Sequence, residues 1–292
     1  MILVTGATGQ FGSKAIDHLL KKGAKPSELS ALVRNVDKAK IFTEKGIDVR
    51  IGDYNDHESL INAFKGIDKL LLVSSNDKQA IENRTSQHIN VINAAKEAKV
   101  KHIIYTSFVR KPHFEDSAIA AFQNSHVQTE GALKQSGIKY TILQNGIYLE
   151  MIPVFVGDKI AETGTIVFPA EAGKASFVLR EELAEAAAHV VLTESHDNKT
   201  YQLTNTEAVN FAAIANALSI KLGREVEYSS PSIQEFEALI RNHGVPDLYI
   251  GMFTMWGSAL AQETMDVEDN TLEQFLGKKP TSLIQFIDQV YG

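Results

Sequence analysis

Apolar and polar positions along the first half of the chain repeat with a regular beat. Short apolar runs fall at Ile2–Thr5, Leu29–Val33, Asp48–Ile51, Lys69–Val73, His102–Thr106 and Tyr140–Leu143. Between them, apolar residues recur at helical spacing: Ile16, Leu19 and Leu20, then Leu60, Ile61 and Phe64, then Val91, Ile92, Ala94 and Ala95. A period near 3.6 residues marks one buried helix face, and short apolar runs between turn formers mark buried strands. Alternating strands and helices predict a parallel sheet with helices on both faces. Right-handed crossovers leave the carboxyl ends of the strands on one edge, where ligands bind in such sheets.

The beat breaks beyond about Gly146. Lys199–Leu203 and Glu225–Tyr228 read as further strands, and Asn205-Thr206-Glu207 as a cap region before a helix over Phe211–Leu222. Pro231–Asn242 and Tyr249–Gln262 look helical, and the tail from Thr271 to Gly292 reads as two short helices split by Gly277-Lys278-Lys279-Pro280. The expected fold is therefore α/β: a Rossmann-type doubly wound parallel sheet over residues 1–148 and a smaller α+β lobe over 149–292. The boundary is soft, and the chain is free to cross it more than once.

Bulk properties narrow the function classes. The chain of 292 residues has a formal net charge of -7, which disfavours nucleic-acid and anionic-membrane partners. It has no cysteine, so disulfides, thiolate nucleophiles and Cys-ligated metals are excluded. No apolar run approaches the length of a membrane span. With the first strand starting at Ile2, no room for a signal peptide is expected, and a cytoplasmic protein is the simplest reading.

The first strand runs directly into Gly6-Ala7-Thr8-Gly9-Gln10-Phe11-Gly12, and this turn opens a helix. Glycines there allow a tight turn and close backbone approach, and a helix N-terminus offers unpaired N–H groups to an anion such as a dinucleotide pyrophosphate. Arg34 closes the second strand, where NAD-preferring sites place an acid for the ribose 2′-hydroxyl; an arginine suits a 2′-phosphate instead. The expected cofactor is NADPH, with Lys38 and Lys40 as further positive charge or as plain surface. Asp53, after the third strand, could accept from an adenine amino group or shape a turn before a helix starting near Asp56. Ser74, Ser75 and Asn76, after the fourth strand, suit the ribose near the nicotinamide, and are also ordinary turn formers.

Tyr105-Thr106-Ser107 closes the fifth strand, His126-Val127-Gln128-Thr129-Glu130 lies in a helical stretch over Ala118–Lys134, and the sixth strand ends in Gln144-Asn145-Gly146-Ile147-Tyr148. With TGATGQFG, ALVRN, GDYND, KLLLVSS and NVINAAKEAKVKHIIYTS, these segments make the chain resemble the NmrA-like subfamily of the atypical short-chain dehydrogenases/reductases. NKTYQLTN, VEYSSPS and LEQFLGKKPTSL extend the likeness more loosely into the second half. The wider superfamily carries a YxxxK pair, a tyrosine proton donor and a lysine that lowers its pKa. Here His126 and Glu130 stand in those places. The resemblance therefore implies a reductase of quinones or other planar conjugated acceptors, which need no dedicated acid because solvent can supply the proton.

The resemblance also places Asn145, Gly146 and Tyr148 beside the nicotinamide, and brings Lys174 and Arg180 back toward the cofactor. Gly146 would let backbone approach ligand closely. His126, with an ordinary pKa near neutrality, is a candidate acid, base or substrate contact. Ser107 and Tyr148 are the other candidate catalytic residues. Plainer readings stand beside these: a surface ladder through His126, Glu130 and Lys134, a turn cap at Ser107, and lobe packing by Tyr148, Phe155, Phe168 and Trp256. No metal is implied. The resemblance leaves a monomer or a homodimer open. The rival function is a non-catalytic NADP(H)-binding redox sensor that acts through a protein partner.

Overall fold

The computed structural model describes residues 1–75 and 80–292. Seven strands form one sheet: β1 (Ile2–Val4), β2 (Leu29–Val33), β3 (Asp48–Ile51), β4 (Lys69–Leu72), β5 (His102–Phe108), β6 (Lys139–Asn145) and, after a short β7 (Thr165–Val167) elsewhere, β8 (Lys199–Leu203). Their order is β3-β2-β1-β4-β5-β6-β8, and every pairing is parallel. The order reverses between β1 and β4, which is where the carboxyl edge opens a crevice.

Each face of the sheet is closed by helices, three of which carry the apolar stripes read from the sequence. Phe11, Ala15, Ile16 and Leu19 of the helix Gln10–Lys21 are buried on one face against Ala184, Ala187 and Val191 of the helix Arg180–Leu192. Alanine on the second helix leaves room for close backbone packing. The other face is covered by the helices His57–Phe64, Ala80–Glu97 and Ala120–Gln135, whose core includes Leu60, Phe64, Val91, Ala95 and Leu133.

The chain crosses back over the expected boundary at 149. Arg180–Leu192 and β8 both belong to the large sheet. The smaller lobe pairs β7 with β9 (Glu227–Ser229) and packs the helices Phe211–Leu222, Ile233–Asn242, Asp247–Ala261 and Leu283–Val290 around an aromatic core. Phe168 stacks between Phe155 and Phe211, with ring centroids 4.8 and 4.9 Å away. Phe155 and Phe168 are thus lobe core, the plainer of their two readings.

The two lobes meet where β6 ends. The amide of Gly146 donates to the Leu203 carbonyl at 2.9 Å, and the Val178 amide donates to the Ile147 carbonyl at 2.9 Å. A Cβ on Gly146 would stand 2.8 Å from the Ser176 carbonyl oxygen and 3.1 Å from Val178 Cγ2. The backbone that approaches Gly146 closely is therefore the protein's own. Gly146→Ala is expected to destabilise the fold by about 1–3 kcal/mol through overpacking. Urea unfolding should show a lower midpoint at an unchanged slope; a wild-type midpoint would mean that the junction yields.

Candidate active site

The glycine turn is built as a cradle. Gly6 has φ +57°, a left-handed conformation that glycine adopts without strain, and its carbonyl accepts from the Gly9 amide at 2.9 Å. A Cβ on Gly12 would lie 2.3 Å from that same carbonyl oxygen, so only glycine lets the helix start against the turn. Its first intrahelical bond runs from the Ser13 amide to the Gly9 carbonyl at 3.0 Å, and no side chain caps it. The amides of Gln10, Phe11 and Gly12 precede that bond, at the positive end of the helix dipole.

A cleft of about 770 Å³ runs along the carboxyl edge of the sheet past this cradle. Gly6, Thr8, Gly9, Gln10, Phe11 and Gly12 all line it. At one end it meets Arg34 and Asp53. Arg34 is exposed, and its guanidinium has no hydrogen-bond or ion-pair partner among the described residues. Asp53 accepts from the Asn55 amide at 2.8 Å and from Asn55 Nδ2 at 3.0 Å, and Asp56 is the helix cap, accepting from the Ser59 amide at 3.0 Å. Asp53 thus shapes its turn while facing the cleft. Lys38 and Lys40 do not line it; Lys40 instead lies near Glu44 on the surface.

Tyr54 binds the floor of the crevice together. Its hydroxyl donates to Thr5 Oγ1 at the tip of β1 and contacts the Val73 carbonyl after β4 at 2.9 Å. Thr5 Oγ1 also accepts from the Val73 amide at 2.9 Å. The two strands that flank the topological switch are so held at a fixed spacing.

The far end of the cleft is a chamber walled by aromatics. Phe108 and Phe122 come from the large lobe and Trp256 from the small one, with Trp256 set edge-on to both rings at 6.0 and 5.7 Å. Met151 and Met252 complete the small lobe's share, and Tyr148 lies under the Arg180 guanidinium at 4.4 Å. Arg180 also reaches the Gln10 side chain, which ties the small helix-start segment to the cradle. Trp256 therefore faces the site, and Tyr148 faces the cleft while joining the lobes.

His126 stands in the chamber wall, but its environment differs from the one expected. Burial, and then the charge of Arg84, push its pKa well below the ordinary histidine value. Arg84 Nη1 donates to His126 Nε2 at 3.2 Å, so the neutral ring carries its proton on Nδ1 and donates to the Tyr105 hydroxyl at 2.7 Å. Both nitrogens are committed. A second neutral ring lies behind it: the Ser75 amide donates to His88 Nε2 at 3.0 Å, His88 Nδ1 reaches Thr129 at 3.0 Å, and burial lowers the His88 pKa to about 3.

Glu130 is buried too, only 2% exposed, and no surface ladder with Lys134 forms. Arg110 grips it with both nitrogens, at 2.8 and 2.6 Å. Ser107 Oγ donates to it at 2.6 Å and Gln144 Nε2 at 3.1 Å. Burial alone would raise its pKa, but the Arg110 and Ser107 hydrogen bonds and the Arg110 charge hold the carboxyl below the usual range, so it stays ionised.

Of the other residues read from the sequence, Ser74, Ser75 and Ser107 line the cleft. Asn145 and Gly146 do not: they are packed inside the lobe junction, and Asn145 Oδ1 is buried without a hydrogen-bond partner. Lys174 is exposed and does not line the cleft, while Gly173 beside it is packed against the Leu260 carbonyl. Asn76 lies outside the described residues. The sequence reading missed Tyr54, Arg84, Phe108, Phe122 and Met252 as site residues. Tyr54 sat within the GDYND segment, but its bridging role depends on strands distant in sequence.

This geometry has close counterparts. The NmrA-like family model matches residues 1–287. Quinone oxidoreductase 2 of Escherichia coli strain K12 is 34% identical over 292 residues, covering 100% of this chain and 99% of its own. Its crystal structure complexed with NADPH superposes with a TM-score of 0.89, covering 100% of both chains. Citrobacter sp. triphenylmethane reductase complexed with NADP(H) superposes with a TM-score of 0.90 at 37% identity, covering 99% of both chains. A Rossmann-type fold with this strand order, a match along nearly its whole length and a cradle at the switch point together place the chain in the NmrA-like family.

Proposed function

We propose that this protein is an NADPH-dependent reductase that transfers hydride to quinones or similar planar conjugated acceptors. The observation that carries this reading is one continuous cleft: at one end an arginine without a partner among the described residues, in the middle an uncapped helix N-terminus, and at the other end an aromatic chamber in which neither His126 nor Glu130 has a proton to give. The fit to the dinucleotide is sound on the protein's own terms. The amides of Gln10, Phe11 and Gly12 lack partners, Ser75 Oγ is buried without one, and Arg34 has none among the described residues. NADPH-bound relatives of the same fold support the choice of cofactor.

When bound, NADPH supplies a hydride at its nicotinamide end. The glycine cradle would hold the pyrophosphate, Arg34 the 2′-phosphate, and Ser74 and Ser75 the ribose nearer the nicotinamide. Phe108, Phe122 and Trp256, packed edge to face, would form one apolar wall against which a planar acceptor lies and from which water is excluded. The protein's contribution is then proximity and alignment of two flat ring systems. His126 is a neutral wall residue whose proton is committed to Tyr105, and it positions Arg84 and Tyr105 rather than transferring a proton. The proton that completes the reduced acceptor comes from solvent.

The decisive experiment follows NADPH absorbance with and without a simple benzoquinone. Acceptor-dependent oxidation is expected; tight NADPH binding with no oxidation by quinones or dyes would replace the reductase with the sensor reading. Arg34→Ala should weaken NADPH binding by about 1.5–3 kcal/mol, the scale of a charge-assisted hydrogen bond, and leave NADH nearly untouched. An equal loss for both nucleotides would remove Arg34 from the 2′-phosphate. His126→Ala should cost stability, about 1–3 kcal/mol for the buried partners it strands, yet lower quinone turnover less than roughly tenfold. Because burial and Arg84 lower its pKa, His126 stays neutral at and above its ordinary titration range. The wild-type rate should therefore show no inflection there that His126→Ala removes.

A further inference from the structure

Ser107 is the last residue but one of β5, at the chamber end of the cleft, and its hydroxyl is oriented by what lies behind it. A hydroxyl has one proton to donate and two lone pairs with which to accept. Ser107 donates its proton to Glu130 Oε1 at 2.6 Å. That carboxylate is fixed in turn: Arg110 holds both oxygens, at 2.8 and 2.6 Å, and Gln144 donates to it at 3.1 Å. Glu130 is ionised and 2% exposed, so it has no proton to return and no room to swing away. Turning the Ser107 proton toward the cleft would leave a buried carboxylate short of a charge-assisted donor.

We infer that Ser107 meets the cofactor only as a hydrogen-bond acceptor, and that the Glu130–Arg110 pair is a positioning device that selects a donor group on the nicotinamide riboside. This rests on the reading that NADPH occupies the cleft. Such a donor is the carboxamide N–H or a ribose hydroxyl. A carbonyl oxygen or an oxyanion would meet only lone pairs at Ser107. The carbonyl of an acceptor is accordingly directed elsewhere in the chamber, and one face and one rotation of the nicotinamide are favoured.

The test uses the single tryptophan, Trp256, which lines the chamber, as a fluorescent reporter of nucleotide binding. Wild type and Ser107→Ala are titrated with NADPH and with its reduced 3-acetylpyridine analogue, in which an acetyl group without N–H replaces the carboxamide. Wild type is expected to prefer NADPH by about 3- to 10-fold, the worth of one hydrogen bond, and Ser107→Ala to lose that preference by weakening NADPH alone. Equal weakening of both nucleotides would keep the acceptor role and assign the donor to a ribose hydroxyl. Unchanged binding of both would overturn the inference while leaving the reductase reading standing. No NADPH binding by wild type would overturn both.

Glu130→Gln keeps an oxygen where Ser107, Arg110 and Gln144 all donate and should retain the NADPH preference, whereas Glu130→Ala frees the Ser107 proton and should shrink it. A folded Glu130→Ala protein with the full preference would remove Glu130 as a positioning residue. If that variant does not fold, the Ser107→Ala comparison still decides the acceptor role.

Discussion

The contact between Gly12 and the Gly6 carbonyl is the constraint on which the site depends. With no Cβ at Gly12, the helix Gln10–Lys21 begins in direct contact with the turn that ends β1. That closeness aims three unpaired amides along the carboxyl edge of the sheet, and it seats Phe11, Ala15 and Ile16 in the core beneath. The same atoms therefore serve packing and leave a helix N-terminus open to the cleft. A side chain at Gly12 would push the helix outward and disturb both. The Thr5–Tyr54–Val73 bonds add a second fixed distance, across the switch between β1 and β4.

Around this rigid edge the chamber is assembled from two lobes of different character. The large lobe contributes a wall in which the charged groups and their neighbours lock one another: Arg84 against His126 and Ser125, His126 against Tyr105, Glu130 against Arg110 and Ser107. Partnered groups in a low-dielectric wall cost little, whereas the same groups unpaired would each be expensive. The small lobe contributes Met151, Met252 and Trp256, adaptable or flat surfaces suited to planar partners. Selectivity in such a chamber comes from shape and from the polarity of a few fixed hydrogen-bonding atoms, and an acceptor needing a protonating residue finds none in His126 or Glu130.

Glu130 and His126 show why the meaning of a residue can change with burial. At i and i+4 on a helix of mixed polarity they read equally well as a solvated ladder. Packed against β5 and β6, the same pair is dry. The histidine then loses its charge because desolvation and Arg84 both oppose it, and the carboxylate keeps its charge because Arg110 opposes desolvation. Neither outcome is a property of the helix alone.

The sequence by itself determined the alternating parallel fold, the glycine turn that opens the first helix at the switch point, and the arginine that follows the second strand. Each of these is local: hydrophobic period, glycine spacing and the residue at a strand end are fixed by neighbours in the chain. The strands and long helices read from the sequence form with ends shifted by a few residues, as with β9, set by pairing to β7, whereas β7 and the helix Arg180–Leu192 had no counterpart in that reading. The tertiary structure alone decided what long-range contacts decide. It returned Arg180–Leu192 and β8 to the large sheet, turned Gly146 and Asn145 into a lobe junction, and left Lys174 in solvent. It brought Arg84, Phe122 and Trp256 to one chamber from helices far apart in the chain. Those roles rest on distances between segments and on the burial that packing imposes, and no pattern along the chain encodes either.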